Sequence, residues 1–258
     1  MKINFQKILL LDIGNTRIKW GIFDNHNILI NGAVNVRELE QDNFLSLYQS
    51  FPSGIEKAVA SSVLDSDISI KLKKTFKSFF GFKIEFIETD ENSHNVINGY
   101  DEPLSLGVDR WVAMIAARNE FKKDVMIIDM GTAITIDLID KYGTHRGGKI
   151  LPGFKLMSEA LNKNTSNIQQ TINLHNIEKK DIQFWGKDTR NVIISGITSA
   201  ISGAIQVSLD ELNSNGEEAV VIITGGDSEF FKDYLDRAYK FRPNLVLSGL
   251  AVLASQKH

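Results

Sequence analysis

Two stretches of the chain place a carboxylate, a glycine and a hydroxyl in a turn directly after an apolar run. Residues 9–24 read LLLDIGNTRIKWGIFD, so Asp12, Gly14, Asn15 and Thr16 lie together with Arg17 and Lys19 close behind. A carboxylate oxygen suits a hard divalent cation, and glycine allows close backbone approach. The amide, hydroxyl and cationic groups are donors for phosphate oxygens. Residues 125–140, VMIIDMGTAITIDLID, repeat the form with Asp129, Gly131 and Thr132. A third group, Gly107, Val108, Asp109 and Arg110, sets a carboxylate beside a guanidinium. The first turn offers what a phosphate and its metal ion would need.

The elements that must carry these groups alternate between strand and helix patterns. Residues 8–11, 18–23 and 27–33 read as strands, with DNHN turning between the last two. Helices are predicted over 38–50 and 68–80, and strands over 58–63 and 83–87. Val108, Trp111, Val112, Ile115 and Ala116 fall at helical spacing, so Asp109 and Arg110 occupy a first helical turn. A carboxylate there also has a purely structural reading, because it favours the positive end of a helix. After the second Asp-x-Gly turn come predicted helices at 154–162, 190–213, 227–239 and 249–256, and strands at 219–224 and 245–247. Two α/β halves result, 1–120 and 121–258, each opening on a strand–turn–strand that presents an aspartate. A cleft between such halves is a natural ligand site.

Composition narrows the class. At 258 residues with 43% hydrophobic and 24% charged residues, the chain has ordinary globular usage. A net charge of −3 gives no footprint for nucleic acid or an anionic membrane, so neither is expected as a partner. The absence of cysteine excludes disulfides, thiolate metal sites and cysteine nucleophiles. No apolar run approaches a membrane span of ~20 residues, and the N-terminal apolar run leads into Asp12 rather than a cleavage site. A cytoplasmic location is therefore expected. Gly143, Gly148 and Lys149 match a phosphate-loop spacing, but Ile150 replaces the required hydroxyl and Pro152 follows where a helix should run. RGGKILPG reads instead as a glycine-rich strand edge where backbone closely approaches something.

DIGNT, GVDR, DMGTAIT, GGKILPG and TGG, in this order over residues 8 to about 250, resemble the type III pantothenate kinases. That family belongs to the acetate and sugar kinase, Hsp70 and actin superfamily. The resemblance implies duplicated ribonuclease-H-like (actin-like ATPase) domains, and ATP-dependent phosphorylation of pantothenate to 4'-phosphopantothenate, the first step of coenzyme A synthesis. It implies a cytoplasmic homodimer using Mg²⁺ and a monovalent cation, K⁺ or NH₄⁺. By the same resemblance Asp12, Ile13, Gly14, Asn15, Thr16, Arg17, Ile18 and Lys19 form the first phosphate motif, with Asp12 toward Mg²⁺. Gly107, Val108, Asp109 and Arg110 contact pantothenate, Asp109 being the proton acceptor. Tyr100 resembles a substrate-contacting tyrosine. Asp129 matches the monovalent-cation ligand and Thr132 an ATP-phosphate contact. Gly225 and Gly226 would lie against adenosine. Thr189 matches a threonine that contacts pantothenate across the dimer, and it also reads as an ordinary helix N-cap.

The chain departs from the family pattern at Asp188, where serine is usual, and at Ser248, where glutamate is frequent. Residues 161–188 match the pattern poorly. The 190–213 helix is apolar around more than one face, with Gly196 and Gly203 seven apart, which agrees with a helix covered by a second copy. An alternative reading is a non-catalytic nucleotide-binding regulator of the same family. Asp109, the expected base, argues against it.

Overall fold

The computed structural model describes residues 7–24, 26–64, 66–164, 172, 174, 177, 183–214, 219–231 and 238–255. The chain divides into two compact units. One holds Met1–Glu120, Gly143–His145 and Asn244–His258, and the other holds Phe121–Tyr142 and Arg146–Pro243.

In the first unit β1 (Lys7–Ile13) is the middle strand of five. A middle strand is covered on both faces, so its sequence is a continuous apolar run instead of an alternating one. β2 (Arg17–Phe23) pairs antiparallel to it, with Ile13 opposite Ile18 and Asp12 opposite Lys19. β3 (Ile28–Asn35) follows antiparallel on β2. On the other side β4 (Ile55–Ser62) and β5 (Ile84–Phe86) run parallel, giving the order β3-β2-β1-β4-β5. Leu9, Leu11 and Ile13 point into a core with Val36, Phe44 and Phe76. These come from helices α1 (Val36–Gln41) and α3 (Ser66–Phe80) and the cap of α2 (Leu45–Ser50). The single helix predicted over 38–50 is therefore two. Asn43 and Phe44 have φ of 56° and 67°, left-handed values through which no α-helix can run. After β5 a small hairpin, β6 (Asn92–Ser93) and β7 (Val96–Ile97), turns on His94 and Asn95 at φ 52° and 61°. That pair of positive φ values is what a two-residue hairpin turn requires. Helix α4 (Val108–Glu120) then carries Asp109 and Arg110 in its first turn, as predicted.

The second unit repeats the plan. β8 (Val125–Met130) is central, β9 (Ala133–Ile139) pairs antiparallel, and β11 (Val220–Thr224) and β12 (Lys240–Phe241) run parallel. With β10 (His145–Pro152) the order is β10-β9-β8-β11-β12, matching the first sheet strand for strand. The duplicated α/β fold class holds on this equivalence. The RGGKILPG stretch is indeed an edge strand. Helices α5 (Phe154–Asn164), α6 (Thr189–Ser214) and α7 (Ser228–Phe231) complete the described part. The helix predicted over 227–239 is seen as α7; its residues 232–237 lie outside the described residues, as does most of 165–182.

Three expectations are corrected. Residues 245–247 are not a strand but the start of α8 (Leu245–Ser255). A three-residue apolar run does not distinguish a buried strand from a buried helix, and α8 is buried along most of its length. That helix packs on α4, where a Cβ on Gly249 would overlap the Val112 carbonyl oxygen. The second half is thus not 121–258: residues 244–255 and Gly143–His145 belong with the first. Finally, Thr189–Leu212 is long and apolar enough to cross a membrane by length and composition, although no apolar run of that length was expected. Scattered Ser, Thr and Gly hide the run. Its Ile193, Ile197, Ile201, Ile205 and Leu209 are buried in the core of the second unit.

Candidate active site

Within the first unit Asp12, the last residue but one of β1, is half-buried, while Asn15 and Arg17 stand exposed in and after the turn. The turn is tied by the Gly14 amide, which donates to the Arg17 carbonyl at 3.1 Å, and by the Val36 amide to the Thr16 carbonyl at 3.0 Å. Ser61, fully buried on the neighbouring strand, donates to Asp12 Oδ1 at 3.4 Å. Ser61 is a contributor that sequence reading missed, since only the β1–β4 register brings it opposite Asp12.

Gly107 caps α4, its carbonyl accepting from the Trp111 amide at 3.0 Å. Asp109 is half-buried, and its Oδ1 accepts from the Arg110 amide at 2.8 Å. A Cβ on Gly107 would stand 2.8 Å from that same oxygen, so the glycine gives the carboxylate its room. Arg110 is only 6% exposed. It donates from Nη1 to the Tyr100 hydroxyl at 2.6 Å, and its guanidinium carbon lies 5.4 Å from the Tyr100 ring centre. Tyr100 and Arg110, ten residues apart, are therefore one structural feature. The loop is set by Asn98, a buried residue without a sequence signature. Its amide donates to the Asp90 and Pro103 carbonyls at 3.1 and 2.9 Å, and its Oδ1 accepts from the Tyr100 amide at 3.1 Å.

In the second unit Asp129, the last residue but one of β8, is half-buried and opposite Thr224 on the parallel strand β11. Thr132 is exposed in the turn, and its carbonyl accepts from the Gly153 amide at 2.9 Å. Gly225 has φ 96°, and a Cβ there would overlap the Met130 carbonyl oxygen and stand 2.5 Å from Asp129 Oδ1. Asp129, Gly131, Thr132, Gly225 and the exposed Gly226 thus form one cluster of turns, although Thr132 and Gly225 lie 93 positions apart in sequence.

Thr189 begins α6 instead, and it is exposed. It is not the cap. Asp188 holds that position, its Oδ1 accepting from the Asn191 amide at 2.9 Å and its Oδ2 from Asn191 Nδ2 at 2.7 Å. The Asn191 amide bond, above all, holds the Asp188 carboxyl below the usual carboxylate range. Both oxygens of the departing residue are thus engaged with the helix. Asp188→Ser retains a capping side chain and is expected to leave the substrate KM values within about twofold. A larger rise in steady-state assays would give Asp188 a role beyond the cap.

Among the described residues no three His, Asp or Glu side chains gather as a metal cage. Mg²⁺ in phosphoryl-transfer sites is commonly held by one or two carboxylates, water and the nucleotide itself. A single half-buried carboxylate at the end of β1 fits that use.

Solved structures of the same fold include a Campylobacter jejuni protein described as a Baf family transcriptional activator, with TM-score 0.60 and 20% identity over 96% of this chain and 98% of that one. Another is the activator of 2-hydroxyisocaproyl-CoA dehydratase from Clostridium difficile with bound ADPNP, with TM-score 0.54 and 12% identity over 97% and 94%. At these identities the likeness is one of fold alone. The sequence pattern of type III pantothenate kinases matches residues 8–211. A type III pantothenate kinase from Azoarcus sp. (strain BH72) is 34% identical over 96% of this chain and 90% of its own. One from Nitrosococcus oceani is 31% identical over 96% and 93%. The chain belongs to the type III pantothenate kinase family.

Proposed function

We infer that the protein transfers the γ-phosphoryl group of ATP to the primary hydroxyl of pantothenate, giving 4'-phosphopantothenate and ADP at the entry to coenzyme A synthesis. The observation that carries this reading is the Tyr100–Arg110 pair beside Asp109 at the start of α4, in a chain of this family. Arg110 binds the pantothenate carboxylate. Asp109 takes the hydroxyl proton as the oxygen attacks phosphorus and the bond to ADP breaks. The Arg110 amide on Oδ1 fixes the direction of that carboxylate. Residues 12–19 cradle phosphate oxygens through Asn15, Thr16, Arg17 and Lys19, with Gly14 allowing backbone approach. Asp12 would hold Mg²⁺, which when bound neutralises phosphate charge. Thr132 contacts phosphate, Gly225 and Gly226 lie against adenosine, and Asp129 would hold K⁺ or NH₄⁺, a charge that offsets that of ATP. A steady-state assay tests the reading. With ATP, Mg²⁺ and K⁺, ADP should appear only when pantothenate is added, and a protein that binds ATP without pantothenate-dependent turnover would instead be the regulator.

The working form is a cytoplasmic homodimer in which α6 meets its symmetry mate and Thr189 of each copy completes the pantothenate site of the other. Support comes from the outer face of α6, where Val192 and Val207 are 54% and 62% exposed. Gly196 and Gly203 lie between them with nothing within 4 Å of a Cβ. Phe184 and Trp185, just ahead of the helix, are 77% and 80% exposed. A tryptophan at position 203 has room in the single chain, so Gly203→Trp should fold. It should run as a monomer in light scattering and retain ATP binding while losing pantothenate affinity. A dimeric, fully active Gly203→Trp variant would contradict the interface.

A further inference from the structure

We propose that His145 is a positioning residue for substrate recognition: its ring sets the plane of Tyr100, and through Tyr100 the guanidinium of Arg110. The proposal rests on the pantothenate reading of Tyr100 and Arg110 and adds to it a buried residue packed on the tyrosine ring.

His145 is 2% exposed, and its ring lies against that of Tyr100 with centroids 5.7 Å apart and planes inclined by 19°. The hydroxyl at the far end of Tyr100 accepts from Arg110 Nη1 at 2.6 Å. The three side chains thus form a chain of contacts, imidazole to phenol to guanidinium. Backbone contacts bring the two segments together. The Ile97 amide donates to the Gly143 carbonyl at 2.9 Å, and Ile97 bridges Thr144. A Cβ on Gly99 would overlap the His145 carbonyl oxygen, and one on Gly143, at φ 94°, would overlap that of Asn95. Two glycines therefore permit segment 143–145 to lie directly on segment 95–99. That approach delivers the imidazole to the tyrosine ring.

A tyrosine ring free to swing about its Cα–Cβ bond would carry its hydroxyl away from Arg110. Near-parallel, offset ring pairs oppose that turning and contribute beyond simple burial. The property needed from residue 145 is hence a flat ring of this size, rather than bulk alone.

The test compares His145→Phe, which keeps a flat ring, with His145→Leu, which keeps apolar volume without one. His145→Leu is expected to raise the pantothenate KM about three- to tenfold, with the ATP KM and the melting temperature little changed. His145→Phe should stay within about twofold of wild type. In a Tyr100→Ala background, His145→Leu should add less than about twofold, because its effect passes through the tyrosine. Equal KM values for the Phe and Leu variants, or an additive effect in the Tyr100→Ala background, would overturn the proposal. Arg110→Ala reports on the underlying reading separately. If that change leaves the pantothenate KM unaltered, the substrate assignment fails; if it raises KM strongly and His145→Leu does not, only the positioning role fails.

Discussion

Asp109→Asn is expected to lower kcat by roughly 10²–10⁴-fold, the usual contribution of a general base, with the ATP KM within about threefold of wild type. Asparagine has the shape of aspartate and its oxygen can still accept from the Arg110 amide, now at 2.8 Å to Oδ1. The first turn of α4 should therefore persist, with Gly107 capping it and Arg110 still on Tyr100. What the amide lacks is a basic oxygen for the proton leaving the substrate hydroxyl. Since the loss is confined to the chemical step, pre-steady-state mixing should show no ADP burst. Turnover within about threefold of wild type would remove Asp109 from the role of base.

Gly225→Ala is expected to lower kcat/KM for ATP by roughly 10²-fold, the scale of a misplacement near 1 Å in a positioned site. Two independent constraints act there. The residue has φ 96°, which side-chain-bearing residues seldom adopt, and the added methyl would overlap the Met130 carbonyl and press on Asp129 Oδ1 at 2.5 Å. Neither neighbour is the far end of a flexible chain. The turn must move off the end of β8, breaking the 2.9 Å bond from the Asp227 amide to the Met130 carbonyl. Because Asp129 is the proposed cation ligand, the wild-type preference for K⁺ or NH₄⁺ over Na⁺ should shrink to within about twofold. Asp129→Ala should flatten it without the steric effect. Initial rates in potassium, ammonium and sodium chloride check both variants. A Gly225→Ala enzyme with wild-type ATP kinetics and an unaltered salt preference would mean that this turn serves neither ligand.

The aspartate turns were legible because each follows a central strand, and a strand buried on both faces leaves a continuous apolar run that ends abruptly at the polar turn. Asp109 and Arg110 were legible through the helical spacing of Trp111, Val112 and Ile115. Local pattern carries no information about strand order, so Ser61 beside Asp12 and Gly225 beside Asp129 emerged only with the parallel pairings. The placement of α8 on α4 is likewise non-local, and Leu245–Leu247 alone did not reveal a helix. The helix start at Thr189 was misread by one residue for a physical reason: Asp188 and Thr189 are both capable caps, and helix ends carry an ambiguity of one or two residues. His145 had no signal at all, because its role depends on glycines at 99 and 143 letting two backbones touch.

The central claim is that this site moves phosphate onto pantothenate, and phosphorus NMR of a single reaction mixture tests it most directly. With wild-type protein, ATP, Mg²⁺, K⁺ and pantothenate, the account predicts a new phosphate monoester signal growing in equal amount with ADP, absent without pantothenate and nearly absent with Asp109→Asn. ADP and inorganic phosphate appearing with no monoester, or no change in ATP at all, would contradict it.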